Sequence, residues 1–376
     1  MNFALSEEQR LLAASIERFV SRDYGFDARR RIVASPEGYS REVWKTLADL
    51  GLLALAIPGE LGGLGGRAAD LASVMEAIGA ALIVEPFLAT ALGARIVVKS
   101  GSAAQQQTLL PPIAAGECVL AFAHIEVGAR YNLAHVAARA RKTSDGFAID
   151  GEKRVVLHAP CAQMLVVSAR LSGDDADPDG VALFLVKTDA PGVSMSRYRT
   201  LDELPAADIV FSDVRVSCDA RLGETSSALP AIEEAVDYAT ALICAEAVGA
   251  IGYANAATLD YLKSREQFGV PIGSFQALQH RMVDMVIEYE QVKSVASLAC
   301  ATVDAEADVN RRKRVVSGAK VRVADACRRV SQESIQLHGG MGMSDELKVS
   351  HTFRRLTMIA QQFGDADHHL ERYAML

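Results

Sequence analysis

The order of hydrophobic periods along the chain constrains its fold more than any other feature. Apolar residues such as Leu12, Ile16 and Phe19 recur at helical spacing from the start of the chain to about residue 117. From about residue 118 the pattern changes to short β-type runs separated by turn residues, and after Leu229 a long helical period returns. A chain of 376 residues in the order helical, β, helical predicts an α+β multi-domain protein.

We therefore predict three domains: an N-terminal helical domain over residues 1–117, a middle β-domain over 118–228 and a C-terminal helical bundle over 229–376. The first helix should begin at the capping box formed by Ser6 and Gln9. Few but long helices in the last part favour a bundle. Further helices are predicted over 43–53, 68–81, 105–110, 231–262, 278–303 and 311–337, with a last one before the C-terminus, and strands over 137–142, 147–149, 154–157, 164–169, 181–186 and 209–216.

Composition excludes several classes of function. The net charge of -8 comes from 47 acidic and 39 basic residues that are spread along the chain, which argues against a nucleic-acid surface. The apolar stretches 52–58 and 239–250 fall short of the roughly 20 residues that span a bilayer. The first ten residues lack an apolar signal region, so the cytoplasm is the expected compartment.

The six cysteines have no metal-type spacing, and the adjacent His368 and His369 would point in different directions, so we expect reduced thiols and no metal.

One segment of the third domain, residues 261–280, has the composition of a ligand site. It ends a helix, turns at a Gly-Pro boundary and starts a new helix, and it sets Arg265 and Gln267 beside Phe268. A guanidinium, an amide and an aromatic ring in one turn suit an anionic ligand that carries a flat ring. The alternative role of the apolar members is ordinary packing.

A second segment, residues 336–342, places Gln336 one turn before the helix end at Gly339 and Gly340. Amide donors and a backbone without side chains permit the close approach that phosphates and nucleotides need. A glycine pair alone would more often be a structural helix end. The two segments together point to a nucleotide-containing ligand.

In this order and spacing the chain resembles the acyl-CoA dehydrogenase family over essentially its full length. The resemblance implies N-terminal helices, a middle β-barrel-like domain and a C-terminal four-helix bundle, usually in a tetramer. It also implies FAD as cofactor, an acyl-CoA substrate, and an electron acceptor such as an electron-transfer flavoprotein. Further family landmarks are residues 3–9, 60–65, 150–153, 214–216 and 222–223.

The family resemblance also assigns site residues. In that family the substrate loses its α-proton to a carboxylate base while the β-hydrogen leaves as hydride to the flavin. The adenosine-diphosphate half of FAD is held by the neighbouring subunit. The residues that would contact the partner's FAD are Arg265, Gln267, Phe268, Ile272, Phe275, Gln276, Gln336, Gly339 and Gly340.

The catalytic base departs from the family pattern. Counted from the Gly339-Gly340 pair, the family's glutamate falls on Phe363, and the alternative position used by some members falls on Ala239. Neither side chain can accept a proton. Asp365, Asp237 and Glu246 are the carboxylates that remain near these positions, and Asp365 or Glu246 is the candidate base, although Asp365 could instead cap a helix. Glu246 could instead make a helix contact, because a carboxylate among apolar neighbours must be paired or protonated.

The segments that would hold the flavin ring of this chain are altered as well. The family's Thr-Glu-Pro-x-Ala-Gly-Ser-Asp segment aligns with residues 125–132, where Ile125 replaces the threonine and Arg130 and Tyr131 replace the Gly-Ser pair. The aromatic-Ile-Thr-Asn strand aligns with residues 155–158, where Leu157 replaces the threonine. Hydroxyl groups that would bond the ring are therefore missing.

This asymmetric loss favours a subunit that completes the FAD site of a second, catalytically intact acyl-CoA dehydrogenase-like chain in a heterotetramer. Residues 153–157, 201–202 and 363–374 resemble the small subunits of heteromeric dehydrogenases that act on pimeloyl-type or steroid side-chain thioesters. Two alternatives stay open. One is a self-sufficient, homo-oligomeric dehydrogenase that uses Asp365 or Glu246, and the other is a flavin-free structural homologue.

Overall fold

The computed structural model describes residues 7–225 and 227–376. The first helix, α1 (Glu7–Asp23), confirms the helical start, whereas the capping box predicted at Ser6 lies outside the described residues. The described chain forms two compact units. One consists of the chain up to Arg30 together with Arg67–Ile83 and Thr240–Leu376, and the other of Arg31–Gly66 and Val84–Ala239. The domain boundaries at 117/118 and 228/229 stay predictions.

The first unit is helical. The helix over 68–81 has the bounds that its periodicity predicts. The helices predicted over 231–262, 278–303 and 311–337 each extend one or two residues beyond their predicted ends. Two helices, not one, precede the C-terminus, because Gly364 interrupts the period with a backbone φ of +124°. The helices that contribute to this unit are α1, α4 (Ala68–Ala81), the part of α7 (Leu229–Ser264) from Thr240 onward, α8 (Gln276–Ala305), α9 (Val309–His338), α10 (Lys348–Gln361) and α11 (Ala366–Ala374).

Local chemistry sets the ends of α9. Asp308 caps the first turn, since its carboxylate accepts the backbone N–H groups of Asn310 and Arg311 at 2.9 and 3.2 Å. At the other end Gly339 stops the helix with φ +60° and ψ -142°, a conformation that essentially only glycine adopts. The Gly-Gly terminus that the sequence predicts is therefore confirmed.

The helix α7 is long and apolar enough to cross a membrane by length and composition. The short apolar stretches counted in the sequence did not reveal this property of α7, because single polar residues interrupt its apolar residues. Within its most apolar window 89% is buried inside the protein, which is the environment of a core helix in a soluble enzyme.

The second unit is built around a β-sheet. Its strands are β1 (Leu120–Ala123), β2 (Arg139–Lys142), β3 (Gly146–Leu157), β4 (Met164–Arg170), β5 (Val181–Lys187), β6 (Val193–Arg199), β7 (Pro205–Ser217) and β8 (Arg221–Leu222). The strand order is β6-β7-β3-β2-β4-β5-β8, and β1 pairs in parallel with β4. Two predicted strands, 147–149 and 154–157, are one strand, β3, because Gly151 adopts φ +141° and the strand continues past it beside Ala138.

Helices α2 (Phe26–Ala34), α3 (Arg41–Asp49), α5 (Phe87–Ser100) and α6 (Ala103–Ala114) complete the chain, together with the two-residue strands β9 (Glu266–Gln267) and β10 (Val270–Pro271). The prediction of a helix to residue 53 was wrong, since α3 ends at Asp49 before Gly51 turns with φ +76°. The sequence also missed α2 and α5, whose apolar residues do not follow a single helical face.

Candidate functional site

A projecting hairpin forms the first part of the candidate site. Strands β9 and β10 pair antiparallel, and Phe268 and Gly269 between them have φ of +55° and +79°, as in a type I′ turn. A phenylalanine in the left-handed region is strained. The residue is nevertheless 92% exposed, and its ring lies edge-on to that of Phe275, with ring centroids 6.2 Å apart. The hairpin holds an aromatic ring out in solvent.

The end of α9 lies beside the end of α7. His338 is buried, its Nδ1 lies 2.8 Å from the carbonyl oxygen of Ser334, and its ring stacks on Tyr261 at 4.5 Å. A Cβ added to Gly339 or to Gly340 would meet no atom within 4 Å. The backbone of this glycine pair is therefore open on the outside of the helix end.

The structure brings the two predicted nucleotide-binding segments together, because the stacked rings of Tyr261 and His338 join them. Guanidinium and amide side chains fit the phosphates of FAD, and an exposed ring and an uncovered glycine backbone leave room for its adenosine. Ile272 is half-buried, and the other predicted cofactor residues are exposed: Arg265, Gln267, Phe268, Phe275, Gln276, Gln336, Gly339 and Gly340.

Glu246 is buried on α7 and bound to an arginine. Its two carboxylate oxygens accept hydrogen bonds from Nε and Nη2 of Arg355 on α10, at 2.5 and 2.8 Å. The side chains are 5% and 9% exposed. This two-point ion pair is the helix contact that the apolar surroundings of Glu246 require.

Asp365 is the N-cap of α11. Its carboxylate accepts the backbone N–H of His368 at 2.9 Å, which is the geometry of a capping residue. Ala239, the alternative family position of the base, is fully buried on α7. Phe363 precedes the cap by two residues and has φ +62°.

Two buried side chains hold the turn between α10 and α11. The ammonium group of Lys320, which is inaccessible to solvent, donates to the carbonyl oxygens of Ile359, Ala360 and Gly364 at 2.8, 3.2 and 2.8 Å. Burial lowers the pKa of Lys320. The Nε2 atom of His369 lies 3.1 Å from the carbonyl oxygen of Phe363. The backbone on both sides of Phe363 is thereby fixed.

The segment that replaces the family's flavin-ring loop rests on a buried polar network. Lys153, fully buried, donates to Glu126 at 2.5 Å and to Ser168 at 2.8 Å, and Ser168 lies 2.9 Å from Nδ1 of His124. Glu126 also accepts the backbone N–H groups of residues 137 and 138. Burial lowers the pKa of Lys153 to about 8 and that of His124 to about 3. The loop is therefore held from within the β-domain.

Three of the exposed side chains of this loop and of the adjacent strand are apolar. Ile125 is 45% exposed and Val127 is 72% exposed. Val155, also exposed, has φ +50°, which is unusual for a β-branched residue. The backbone N–H of Arg154 donates to the carbonyl of Ile125 at 2.7 Å, so strand and loop adjoin. These side chains offer no hydroxyl to a flavin ring.

Sequence reasoning missed Lys153, Lys320 and Arg355 as partners of buried groups. Their sequence context gave no clear signal, since Lys153 and Arg355 each adjoin a second cation, Arg154 and Arg354, and only burial separates the members of each pair. In the part of the chain that is described, no group of three or more His, Cys, Asp or Glu side chains could hold a metal ion. The six cysteines are free, four of them buried, while Cys118 is half-buried and Cys218 is exposed.

Models of the acyl-CoA dehydrogenase N-terminal, middle and C-terminal domains match residues 6–117, 121–214 and 229–375. A probable acyl-CoA dehydrogenase of Bacillus subtilis, YngJ, is 28% identical over 99% of this chain and 98% of its own length.

Two solved structures are also similar to this chain. The ChsE4-ChsE5 complex from Mycobacterium tuberculosis matches with a TM-score of 0.90 and 25% identity, over 100% of this chain and 98% of the matched chain. PigA, solved with FAD and proline, matches with a TM-score of 0.91 and 25% identity, over 100% and 98% of the two chains.

Proposed function

Because the chain belongs to the acyl-CoA dehydrogenase family of FAD-dependent oxidoreductases, we propose that it is the subunit that completes the FAD site of a second, catalytic chain. In this proposal the partner supplies the base and binds the reacting thioester. The present chain supplies the hairpin and the Gly339-Gly340 terminus. The cytoplasm stays the predicted compartment.

One observation carries the proposal: the residues expected to bind the nucleotide are retained, whereas the side chains at both positions of the family's base cannot ionise. Phe268 projects from its hairpin with 92% of its surface exposed, and the glycine backbone is open. Phe363 and Ala239 occupy the two base positions. If the chain had lost all function, random mutation would not retain the residues of one half of a shared site while altering those of the other half.

Neither Glu246 nor Asp365 offers a replacement base. Glu246 is held by two short hydrogen bonds to Arg355, and removing it from this pair would leave a buried guanidinium without them. Asp365 caps α11, and Lys320 and His369 fix the turn before it. Each carboxylate has a structural role that opposes the movement a base would need.

The flavin, when bound, accepts hydride from the β-carbon of the acyl thioester. This chain's own residues would bind the adenosine-diphosphate end of FAD. Arg265 would neutralise pyrophosphate charge, Gln336 would donate amide hydrogens, and the Gly339-Gly340 backbone would allow close approach. The exposed ring of Phe268 would cover the adenosine side and exclude water. The likeness to the ChsE4-ChsE5 complex supports an assembly of two different chains.

The substrate class in this proposal is an acyl-CoA thioester of the dicarboxylic or steroid side-chain type, with electrons passed on to a carrier such as an electron-transfer flavoprotein. The support is the resemblance of residues 153–157, 201–202 and 363–374 to small subunits of such dehydrogenases.

The proposal is tested by purifying the full chain alone and then together with a second acyl-CoA dehydrogenase-type chain from the same genome. We expect FAD and enoyl-CoA formation only in the joint assembly, and Arg265→Ala should reduce its FAD content at least tenfold. Arg314→Ala, an exposed arginine at the other end of α9, is the matched control and should retain FAD.

Two results would overturn the proposal. Full flavin loading and turnover by the isolated chain, abolished by Glu246→Gln or Asp365→Asn, would establish a self-sufficient dehydrogenase. An unchanged FAD content in the Arg265→Ala assembly would favour the flavin-free homologue.

A further inference from the structure

The side chain of Lys348, the first residue of α10, lies half-buried between α4, α7 and α10. Its Nζ atom donates a hydrogen bond to the carbonyl oxygen of Ala80, near the end of α4, at 2.6 Å. The same atom lies 3.9 Å from the centroid of the Tyr253 ring on α7. Among the residues that the structure describes, no carboxylate lies within ion-pair distance of this ammonium group. Lys348 is therefore partly removed from water without a counter-charge.

The acids closest to Lys348 along the chain and along α4 act on other cations. Glu76 lies one turn before Ala80, and the positive charge that acts on its carboxyl group is that of Lys293 on α8. Asp345 lies three residues before Lys348 and pairs with Arg354 at 2.6 Å. Neither acid stabilises the charged form of Lys348.

A second cation adjoins Lys348. The Nε atom of Arg29 donates to the carbonyl oxygen of Leu82 at 3.0 Å, two residues after Ala80. The Nη1 atom of Arg29 lies 3.1 Å from Nδ1 of His351, one turn after Lys348. Lys348 also starts α10, where the helix dipole is positive and the first turn has no acidic residue. Burial, followed by the charge of Arg29, lowers the pKa of Lys348 to about 8.

Capping of α4 does not by itself require a lysine at this position. Carbonyl groups at the end of a helix interact favourably with any cation, and an arginine there would stay charged at every physiological pH. A lysine differs because its nitrogen can lose the proton, and a desolvated amine next to another cation is the usual form of a nucleophilic lysine.

We propose that Lys348 is a site of covalent modification, at which its amine is acylated directly by acyl-CoA thioesters. The lone pair of the neutral Nζ attacks the thioester carbonyl carbon, a C–N bond forms and the C–S bond breaks. The CoA thiol leaves with the proton that the amine gives up, so no oxidant, reductant or other co-reactant is needed. The amide product keeps one N–H for the carbonyl of Ala80 and has no charge to oppose Arg29. This inference goes beyond the proposed function, because it does not depend on FAD or on a partner chain.

The test incubates the full chain with acetyl-CoA at about pH 7.5 and follows each lysine by peptide mass spectrometry. Lys45 is the internal reference, since its side chain is 74% exposed and pairs with Asp49 at 3.2 Å. At this pH an amine with a pKa of about 8 has a neutral fraction about 200-fold larger than an ordinary lysine. Partial burial and lower basicity offset part of this gain, so we expect acetylation of Lys348 at least tenfold faster than that of Lys45. In Lys348→Arg the rate at Lys45 should not change.

A matched pair of variants tests the cause of the reactivity. Tyr253→Glu places a carboxylate where the ring now faces the ammonium group, which should raise the pKa of Lys348 and slow its acetylation at least tenfold. Tyr253→Gln has the same size without the charge and should keep the fast rate. Circular dichroism checks that both variants are folded.

Two results would overturn the inference. Acetylation of Lys348 no faster than that of Lys45 would show that exposure alone sets the reactivity of the lysines. Equal rates at Lys348 in the Tyr253→Glu and Tyr253→Gln chains would show that the missing counter-charge is not the cause. Neither result bears on the proposed function, which fails instead if the isolated chain loads flavin and turns over.

Discussion

Removing Arg355 should destabilise the fold far more than removing both members of its ion pair. In Arg355→Leu the carboxylate of Glu246 stays buried, 5% exposed, without the two hydrogen bonds of 2.5 and 2.8 Å. A buried charge that loses its partner costs about 3–5 kcal/mol of unfolding free energy. In Glu246→Leu/Arg355→Leu no charge of the pair is left behind, and we expect a loss of about 1 kcal/mol.

Urea unfolding of the purified full chain, followed by circular dichroism, measures both values. With an m-value of about 3 kcal/mol per M, the single variant should shift the midpoint down by about 1–1.7 M. Arg281→Leu is the control: Arg281 pairs with Glu333 in a half-exposed position, 37% and 30% accessible, and such pairs contribute about 0–1 kcal/mol. Single variants that lose less than 1 kcal/mol, with strictly additive effects in the double variant, would refute this account of Glu246.

Three further predictions concern other buried groups and the glycine pair. Burial holds the pKa of His124 at about 3, so the unfolded chain takes up a proton below about pH 6.5 while the folded chain does not. The contribution of His124 to the free energy of unfolding is therefore complete above about pH 6.5 and is lost as the pH falls. In His124→Asn the free energy of unfolding should fall less steeply than in the unchanged protein, by about 1.4 kcal/mol per pH unit between pH 6.5 and 4.5, as measured by urea unfolding. Lys320→Met removes the donor to three carbonyl oxygens, so it should lower the unfolding free energy by about 2–4 kcal/mol and speed hydrogen exchange over residues 359–366; unchanged exchange there would contradict the role of Lys320. Gly339→Ala should cost about 1–3 kcal/mol through its φ of +60° alone, whereas Gly340→Ala should be nearly neutral, and equal effects in urea unfolding would show that backbone strain does not distinguish them.

The sequence was sufficient for the order of the helices and strands because hydrophobic period is a local property. The prediction for α4 matches residue for residue, and α7, α8 and α9 were found to within a few residues. Long, strongly periodic helices leave little freedom for their position along the chain. The family match then confirms the α+β fold class with helical ends and a β middle.

Errors arose where a backbone conformation overrides the pattern. The residues around Gly151 have turn-like composition, yet its φ of +141° keeps β3 continuous. Likewise Pro111 and Pro112 lie inside α6, although proline usually ends a helix. Composition gives the preference of a residue, whereas tertiary contacts decide which allowed conformation it takes.

The candidate site shows the same difference between local preference, which a sequence reveals, and tertiary contacts, which it does not. A buried carboxylate such as Glu246 can be known from sequence to need a partner, but its choice of Arg355, 109 residues away, depends on packing of α7 against α10. For Phe268 the sequence left two roles open, contact with a cofactor and packing in the core. Only the structure shows that its ring faces solvent.

The exposed hairpin tip also bears on how the chain is maintained in a cell. A solvent-facing aromatic ring close to other exposed apolar side chains, here Val270 and Phe275, is the kind of surface that chaperones bind and that promotes aggregation. Copies made in excess of their partner would therefore be removed or would precipitate. The supply of the partner would set the abundance of this chain, and the two would have to be produced in matched amounts.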